Sequence, residues 1–80
     1  MKRIIIRVQW DKRKKWWKVR GVGISTEYDF KHEAVARAVD CGRAIAAQGG
    51  LAQVVSHRKD GVIQWERTYP RSSDPRRSRG

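Results

Sequence analysis

The chain of 80 residues has one cysteine and eight acidic residues, and it contains no long apolar run. Cys41 cannot form an internal disulfide, which favours a reducing compartment. No stretch approaches the roughly 20 apolar residues of a membrane span. Ile4–Ile6 is too short for the apolar region of a signal peptide. We therefore expect a small cytoplasmic protein that does not interact with membranes.

The scarcity of acidic residues leaves 19 lysines and arginines with too few carboxylates to balance them, and the net charge is +11. Residues 1–20 contain nine basic residues and one acidic residue. Residues 21–69 contain six of each, and residues 70–80 contain four basic residues and one acidic residue. The excess charge therefore lies in the two terminal segments, around a neutral body. This distribution is typical of proteins that bind polyanions.

The chain also lacks the patterns that catalysis or cofactor binding would need. Gly21–Gly23 has neither the third glycine nor the strand–helix context of a phosphate-binding loop. Cys41, His32 and His57 match no zinc-binding spacing. His57 lies near Asp60, but no nucleophile accompanies the pair, so a structural or surface role is favoured. We expect no enzymatic activity, no cofactor and no metal.

Three stretches in the first third of the chain are candidate strands. Residues 2–10 alternate with a period of two, and the apolar side chains share one face: Ile4, Ile6, Val8 and Trp10. Residues 15–20 alternate in the same way, and the connection formed by residues 11–14 has the length of a hairpin loop. Residues 24–28 predict a short third strand.

Residues 31–48 predict a helix, because apolar side chains recur at a period close to 3.6. Asp29 is the natural N-cap, and Gly49-Gly50 supplies the C-terminal stop. Gly42 inside a helix costs about 1 kcal/mol relative to alanine. We therefore expect a close contact between helix and sheet at this glycine.

Residues 51–57 and 62–69 predict two further strands joined by a turn at Asp60-Gly61. The fold class is thus α+β, with an antiparallel four- to five-stranded sheet in the order β-β-(β)-α-β-β and one helix packed on one face. Residues 1–69 form the single domain. Residues 70–80 are an Arg/Ser/Pro-rich tail that we expect to be disordered. A core this small favours a homodimer.

Several short motifs resemble one known family. They are Trp17-Lys18-Val19, Lys31-His32-Glu33-Ala34, Val55-x-His57-x-x-Asp60-Gly61-x-Ile63, Arg67-Thr68-Tyr69 and Asp74-Pro75. Over residues 16–75 the chain is similar to the small bacterial and phage proteins grouped as DUF2188, a domain of unknown function. The resemblance implies a fold pattern and a prokaryotic setting, and it implies no activity. Two features depart from the family pattern: Phe30 replaces the usual helix-capping threonine, and the basic segments are richer here.

The segment of residues 11–20 is the main candidate site, since it combines six cations with two tryptophans. By strand parity Trp16 shares a face with the cations Lys18 and Arg20, whereas Trp17 lies with Val19 in the core. Lysine and arginine neutralise phosphates, and an exposed indole can stack on a base or wedge at a base step.

We therefore expect a nucleic-acid-binding protein of low sequence specificity, with DNA preferred to RNA. The residues predicted to bind are Lys12, Arg13, Lys14, Lys15, Trp16, Lys18, Arg20, Arg71, Arg76, Arg77 and Arg79. One alternative is a phage, plasmid or bacterial accessory protein that binds an acidic host protein. Another is that Trp16 only pads the sheet or a dimer contact, while the lysines and the arginine tail keep the protein soluble.

Overall fold

The computed structural model describes residues 3–21 and 23–71, which form five strands and one helix. The elements are β1 (Arg3–Asp11), β2 (Trp16–Gly21), β3 (Ile24–Tyr28), α1 (Lys31–Ala47), β4 (Leu51–His57) and β5 (Ile63–Tyr69). The α+β class and the third strand are confirmed. Most of the predicted tail, residues 72–80, lies outside the described residues.

The sheet has the strand order β3-β2-β1-β4-β5 and is mixed, because β1 and β4 run parallel. The prediction of a purely antiparallel sheet is therefore wrong at its centre. The reason lies in α1, which carries the chain from the end of β3 back to the end of the sheet at which β1 begins. Leu51 consequently pairs with Arg3, and β4 runs in the direction of β1. A helical crossover is the usual way to join strands of like direction.

One face of the sheet is covered by α1, and the core lies between the two. The alternation in β1 and β2 directs Ile6, Val8 and Val19 into this core, where each is fully buried. The helix contributes small side chains, which allow it to approach the sheet closely: Ala34, Ala38, Cys41 and Gly42. We call the opposite, helix-free side of the sheet the open face.

Gly42 is the point of closest approach between α1 and the sheet. A Cβ atom added there would lie 2.9 Å from Cδ2 of Tyr69 and 3.2 Å from Cγ2 of Val54. The predicted helix–sheet contact at this glycine is confirmed. This contact places the end of β5 against the last turns of the helix.

The helix begins at Lys31 as predicted, but its N-cap is Phe30 and not Asp29. Phe30 has extended backbone angles, φ −116° and ψ 140°, and its side chain cannot accept a capping hydrogen bond. At the other end Gly49 adopts φ +87°, and Gly50 N–H donates to the Ile45 carbonyl at 2.9 Å. Within the described residues, no helix is both long and apolar enough to cross a membrane.

The parallel pairing of β1 with β4 places both hairpin loops at one end of the sheet. Residues 12–15 connect β1 to β2, and residues 58–62 connect β4 to β5. The start of α1 lies there too, since Nζ of Lys31 is 5.0 Å from the ring centroid of Trp17. We call this the loop end. The opposite end holds the starts of β1 and β4 and the last residue of β5, Tyr69.

Candidate nucleic-acid interface

The loop of residues 12–15 is held in one conformation by Asp11. Oδ1 of Asp11 accepts the N–H groups of Arg13 and Lys14, each at 3.0 Å. The Asp11 carbonyl accepts the N–H of Lys15 at 2.8 Å, and Lys15 adopts φ +60°. All four side chains of this loop are exposed. The loop therefore presents a compact, ordered group of four cations.

The hydrogen bonds to Asp11 also affect its titration. The bond donated by the Lys14 backbone is the largest cause that lowers the pKa of this exposed carboxyl group, and the charge of Lys18 adds to it. Asp11 thus remains an anion that orders the cationic loop, and its carboxylate already accepts hydrogen bonds from backbone N–H groups.

The two adjacent tryptophans lie on opposite faces, as strand parity predicted. Trp17 is buried on the helix side and packs against Trp10, with ring centroids 5.2 Å apart. Trp16 is half-buried on the open face, where its ring lies 5.7 Å from Nζ of Lys14. Its indole Nε1 is buried and has no hydrogen-bond partner. An aromatic ring with an unused donor thus adjoins the cationic loop.

The open face of β1 and β2 continues the positive charge away from the loop. Lys18 pairs with Gln9 across the β1–β2 ladder, and Arg20 pairs with Arg7. Arg7 was not among the residues predicted to bind. The loop cations, Trp16, Lys18, Arg20 and Arg7 form one continuous area, which we call the basic surface.

Arg7 is held in place by His57 from the parallel neighbour strand. Nη1 of Arg7 lies 3.1 Å from Nε2 of His57, and Nδ1 of His57 lies 3.0 Å from the Gly61 carbonyl oxygen. An arginine only donates and a carbonyl only accepts. Nδ1 therefore carries the proton, and Nε2 accepts from Arg7. His57 is 7% exposed, so it is a structural residue that orients Arg7 from the neighbouring strand β4.

No carboxylate of the described strands stands directly opposite Arg7 or Arg20 on the open face. Glu27 of β3 stands opposite Lys18, and Glu66 of β5 accepts a hydrogen bond from Gln53. Gln53 in turn accepts from Arg3 at 3.0 Å, near the far end of β1. Across the ladders Arg20 has Ser25 as its other neighbour, and Arg7 has Val55.

The second hairpin adds charge at the loop end that the sequence did not suggest. Nζ of Lys59 lies 4.3 Å from the ring centroid of Trp10. Lys31 bonds to Gln64 and covers Trp17, and burial lowers its pKa. Arg58 is already paired with Asp60. Lys59 thus adds a cation at the loop end, over a ring that belongs to the helix side of the sheet.

Arg71 lies on the other side of the sheet from the basic surface and at the end opposite the loop of residues 12–15. It lines a cleft on the helix side with Arg43 and Tyr69, at the end of the sheet opposite the loop end. β1 has nine residues, so at about 3.3 Å per residue the two ends are about 26 Å apart. The structure therefore separates Arg71 from the hairpin residues. The other predicted tail contacts, Arg76, Arg77 and Arg79, lie outside the described residues.

The remaining candidates have ordinary surroundings. Cys41 is buried in the core, and His32 stacks on Phe30 with ring centroids 5.7 Å apart. In residues 3–21 and 23–71, no group of three or more His, Cys, Asp or Glu side chains is placed to hold a metal ion.

The architecture defines a small α+β protein with a five-stranded mixed sheet, one covering helix and a cationic hairpin. The model of one family matches residues 6–69, most of the chain, and its description reads "Uncharacterized protein conserved in bacteria (DUF2188)". The chain therefore belongs to the DUF2188 family, as its motifs suggested. The matched range includes the hairpin with its basic loop. No curated protein and no solved structure matches the chain.

Proposed function

We propose that this protein binds duplex DNA through its basic surface, mainly by phosphate contacts and with little sequence preference. The observation that carries the proposal is the pairing of Arg7 with Arg20 on the open face. Like charges directly opposite each other destabilise a sheet. No carboxylate stands opposite either residue in the neighbouring strands. An external anion between the two guanidinium groups would remove this repulsion.

The loop cations lengthen this positively charged surface, which therefore suits a long ligand with regularly spaced negative charges. A DNA backbone supplies phosphates at short, regular intervals, and each neutralised phosphate releases condensed counterions. The loop is ordered by Asp11 before any ligand arrives. Less conformational entropy is therefore lost on binding than with a disordered basic segment.

A duplex suits this surface better than a single strand does. Single-stranded nucleic acids are usually bound by several aromatic side chains on which successive bases stack. Among the described residues of the open face, Trp16 is the single indole or phenyl ring. Cations dominate instead, which favours contact with phosphates on the outside of a helix.

DNA is favoured over RNA by the tip of the β1–β2 hairpin, which extends past Val8–Ser56, the last pair of β1 with β4. A narrow two-stranded tip can reach into the major groove of B-form DNA, whereas the major groove of A-form RNA is too deep and narrow. The loop of residues 12–15 forms this tip.

The test is fluorescence anisotropy with a labelled duplex of mixed sequence, measured between about 50 and 200 mM salt. We expect binding that weakens steeply with salt, and a clear loss of affinity when Arg7→Gln and Arg20→Gln are combined. Arg37→Gln removes one charge from the exposed side of α1, so it is the matched control for Arg7→Gln and for Arg20→Gln measured singly. Equal losses of affinity in the control and in the two single variants would contradict the proposal.

The acidic-protein hypothesis makes the opposite prediction in the same experiment. If the duplex fails to bind even at low salt, while an acidic polypeptide binds and depends on Arg7 and Arg20, the basic surface is a protein-docking site. A duplex of RNA in the same series tests the preference for DNA.

The homodimer expected from the sequence remains a proposal, and it would raise the affinity for DNA. β3 and β5 are the edge strands of the described sheet, and edges can pair with a second copy. A two-fold dimer would bring two basic surfaces into one particle. Light scattering at several concentrations, with and without DNA, decides whether the bound species contains two chains.

A further inference from the structure

A second basic site lies on the helix side, at the end of the sheet opposite the loop end. A cleft of about 570 Å³ runs between the last turns of α1 and the end of β5. Three arginines line it: Arg43, Arg67 and Arg71. Apolar surface from Ala46, Ala47, Tyr69 and Pro70 completes the lining. Clefts of this size commonly hold small organic molecules.

Two of these arginines lie over aromatic rings. The guanidinium carbon of Arg67 lies 4.3 Å from the ring centroid of Trp65, and that of Arg71 lies 5.9 Å from the ring centroid of Tyr69. In the described part of the chain no acidic side chain lines the cleft. The contact with Trp65 fixes the plane of the Arg67 guanidinium group and leaves the N–H groups at its edge able to donate.

The cleft is built by the same contact that closes the core. Gly42 lets the ring of Tyr69 approach α1, and the next residue, Arg43, is thereby brought toward β5. Trp65, Arg67 and Tyr69 alternate along β5, so all three side chains lie on the helix side. The cleft is therefore a consequence of the packed domain.

The geometry points to a binding site for a phosphate monoester, with the phosphate held by Arg43 and Arg67 and the organic part lying over Tyr69 and Pro70. Guanidinium groups bind phosphate oxygens through paired, charge-assisted hydrogen bonds. Such a group could belong to a small phosphorylated compound or to the 5′ end of a nucleic acid. Because the cleft and the basic surface lie on opposite sides of the sheet, this site can be tested independently of DNA binding.

The experiment titrates the full chain with adenosine 5′-monophosphate, and with adenosine as the uncharged control, by ¹⁵N–¹H NMR. We expect the phosphate compound to shift the Nε–H signals of Arg43 and Arg67 and the indole signal of Trp65. Adenosine should leave them in place. Arg67→Gln should weaken binding about tenfold or more, as expected for loss of a charge-assisted bond. Arg37→Gln, on the same helix, should change it less than about twofold.

The source of the phosphate is decided by two short single-stranded oligonucleotides that differ only in a 5′-phosphate. Tighter binding of the phosphorylated strand, abolished by Arg67→Gln, assigns the cleft to a nucleic-acid end. Equal binding of both strands, with the monophosphate still bound in the cleft, assigns it to a small molecule. The inference is overturned if the monophosphate shifts no cleft signal, or if Arg43→Gln and Arg67→Gln leave its affinity unchanged. Thermal unfolding of each variant confirms that it is folded.

Discussion

Trp16 and Trp17 are neighbours in the chain that lie on opposite faces of the sheet. Trp17 is 6% exposed and packs against Trp10 under α1, whereas Trp16 lies on the open face beside Lys14. The buried indole Nε1 of Trp16 has no partner, so its ring contributes less to folding than its size suggests.

The first prediction is that Trp17 contributes mainly to stability and Trp16 mainly to DNA binding. Trp17→Ala should lower the free energy of unfolding by about 3–5 kcal/mol, because it empties the core beside Trp10. Trp16→Ala should cost much less stability and should weaken duplex binding. Urea unfolding and anisotropy measure the two effects. A Trp16→Ala protein with unchanged affinity would show that this ring only pads the sheet.

The sequence predicted the face of the sheet on which each side chain lies better than it predicted which strands are neighbours. Alternation with a period of two places Trp16 and Trp17 without knowledge of the fold. It also permits a prediction of the hairpin register, so the Arg7–Arg20 pair could have been found from the four-residue loop. The contact of His57 with Arg7 could not have been predicted, because the alternation of side chains is the same in parallel and antiparallel strands. The cleft needs the docking of Tyr69 on Gly42, which no local pattern reveals.

The second prediction concerns the salt dependence of DNA binding. Replacing the loop residues 12–15 together by alanine should make the plot of log affinity against log salt less steep. The slope should fall by about 0.9 for each phosphate contact that is lost. Anisotropy at several salt concentrations provides the measurement. If the affinity and its slope both stay the same, the loop does not contact the backbone.

The third prediction uses the repulsion between Arg7 and Arg20. Arg20→Thr should raise the free energy of unfolding by up to about 1 kcal/mol, because it removes a like charge from a cross-strand pair and suits a strand. The same change should weaken duplex binding. Opposite signs for stability and affinity are expected of a residue kept for its ligand. A destabilised variant would mean that Arg20 is held by contacts within the fold.

The fourth prediction concerns the start of α1. Phe30 is the N-cap and its side chain offers no acceptor, while Glu33 stands at the third helical position. Phe30→Thr would complete a capping box, with the new hydroxyl accepting the Glu33 N–H. We expect a gain of about 1 kcal/mol relative to Phe30→Ala, the control that also removes the ring stacked on His32. Chemical unfolding compares the variants, and equal stabilities would contradict this.

The fifth prediction is that ionisation of Asp11 strengthens the hydrogen bonds that order the basic loop. Backbone N–H groups from Lys14 and Arg13 stabilise the carboxylate, so its pKa in the folded protein lies below the ordinary value of 3.8. Because the folded pKa is depressed, this contribution is present above pH 3.8 and is lost as the pH falls through the lower, folded value. The amide signals of Arg13 and Lys14 should then move together with the Asp11 carboxyl.

Two variants separate charge from hydrogen bonding in this loop. Asp11→Asn keeps a side-chain oxygen acceptor, so the amide signals of Arg13 and Lys14 should lose their pH dependence but stay dispersed. Asp11→Ala removes the acceptor, and the loop should become mobile at every pH, with weaker duplex binding because the four cations are no longer held together. An Asp11 carboxyl that titrates at or above 3.8 would show that the backbone donors do not hold it.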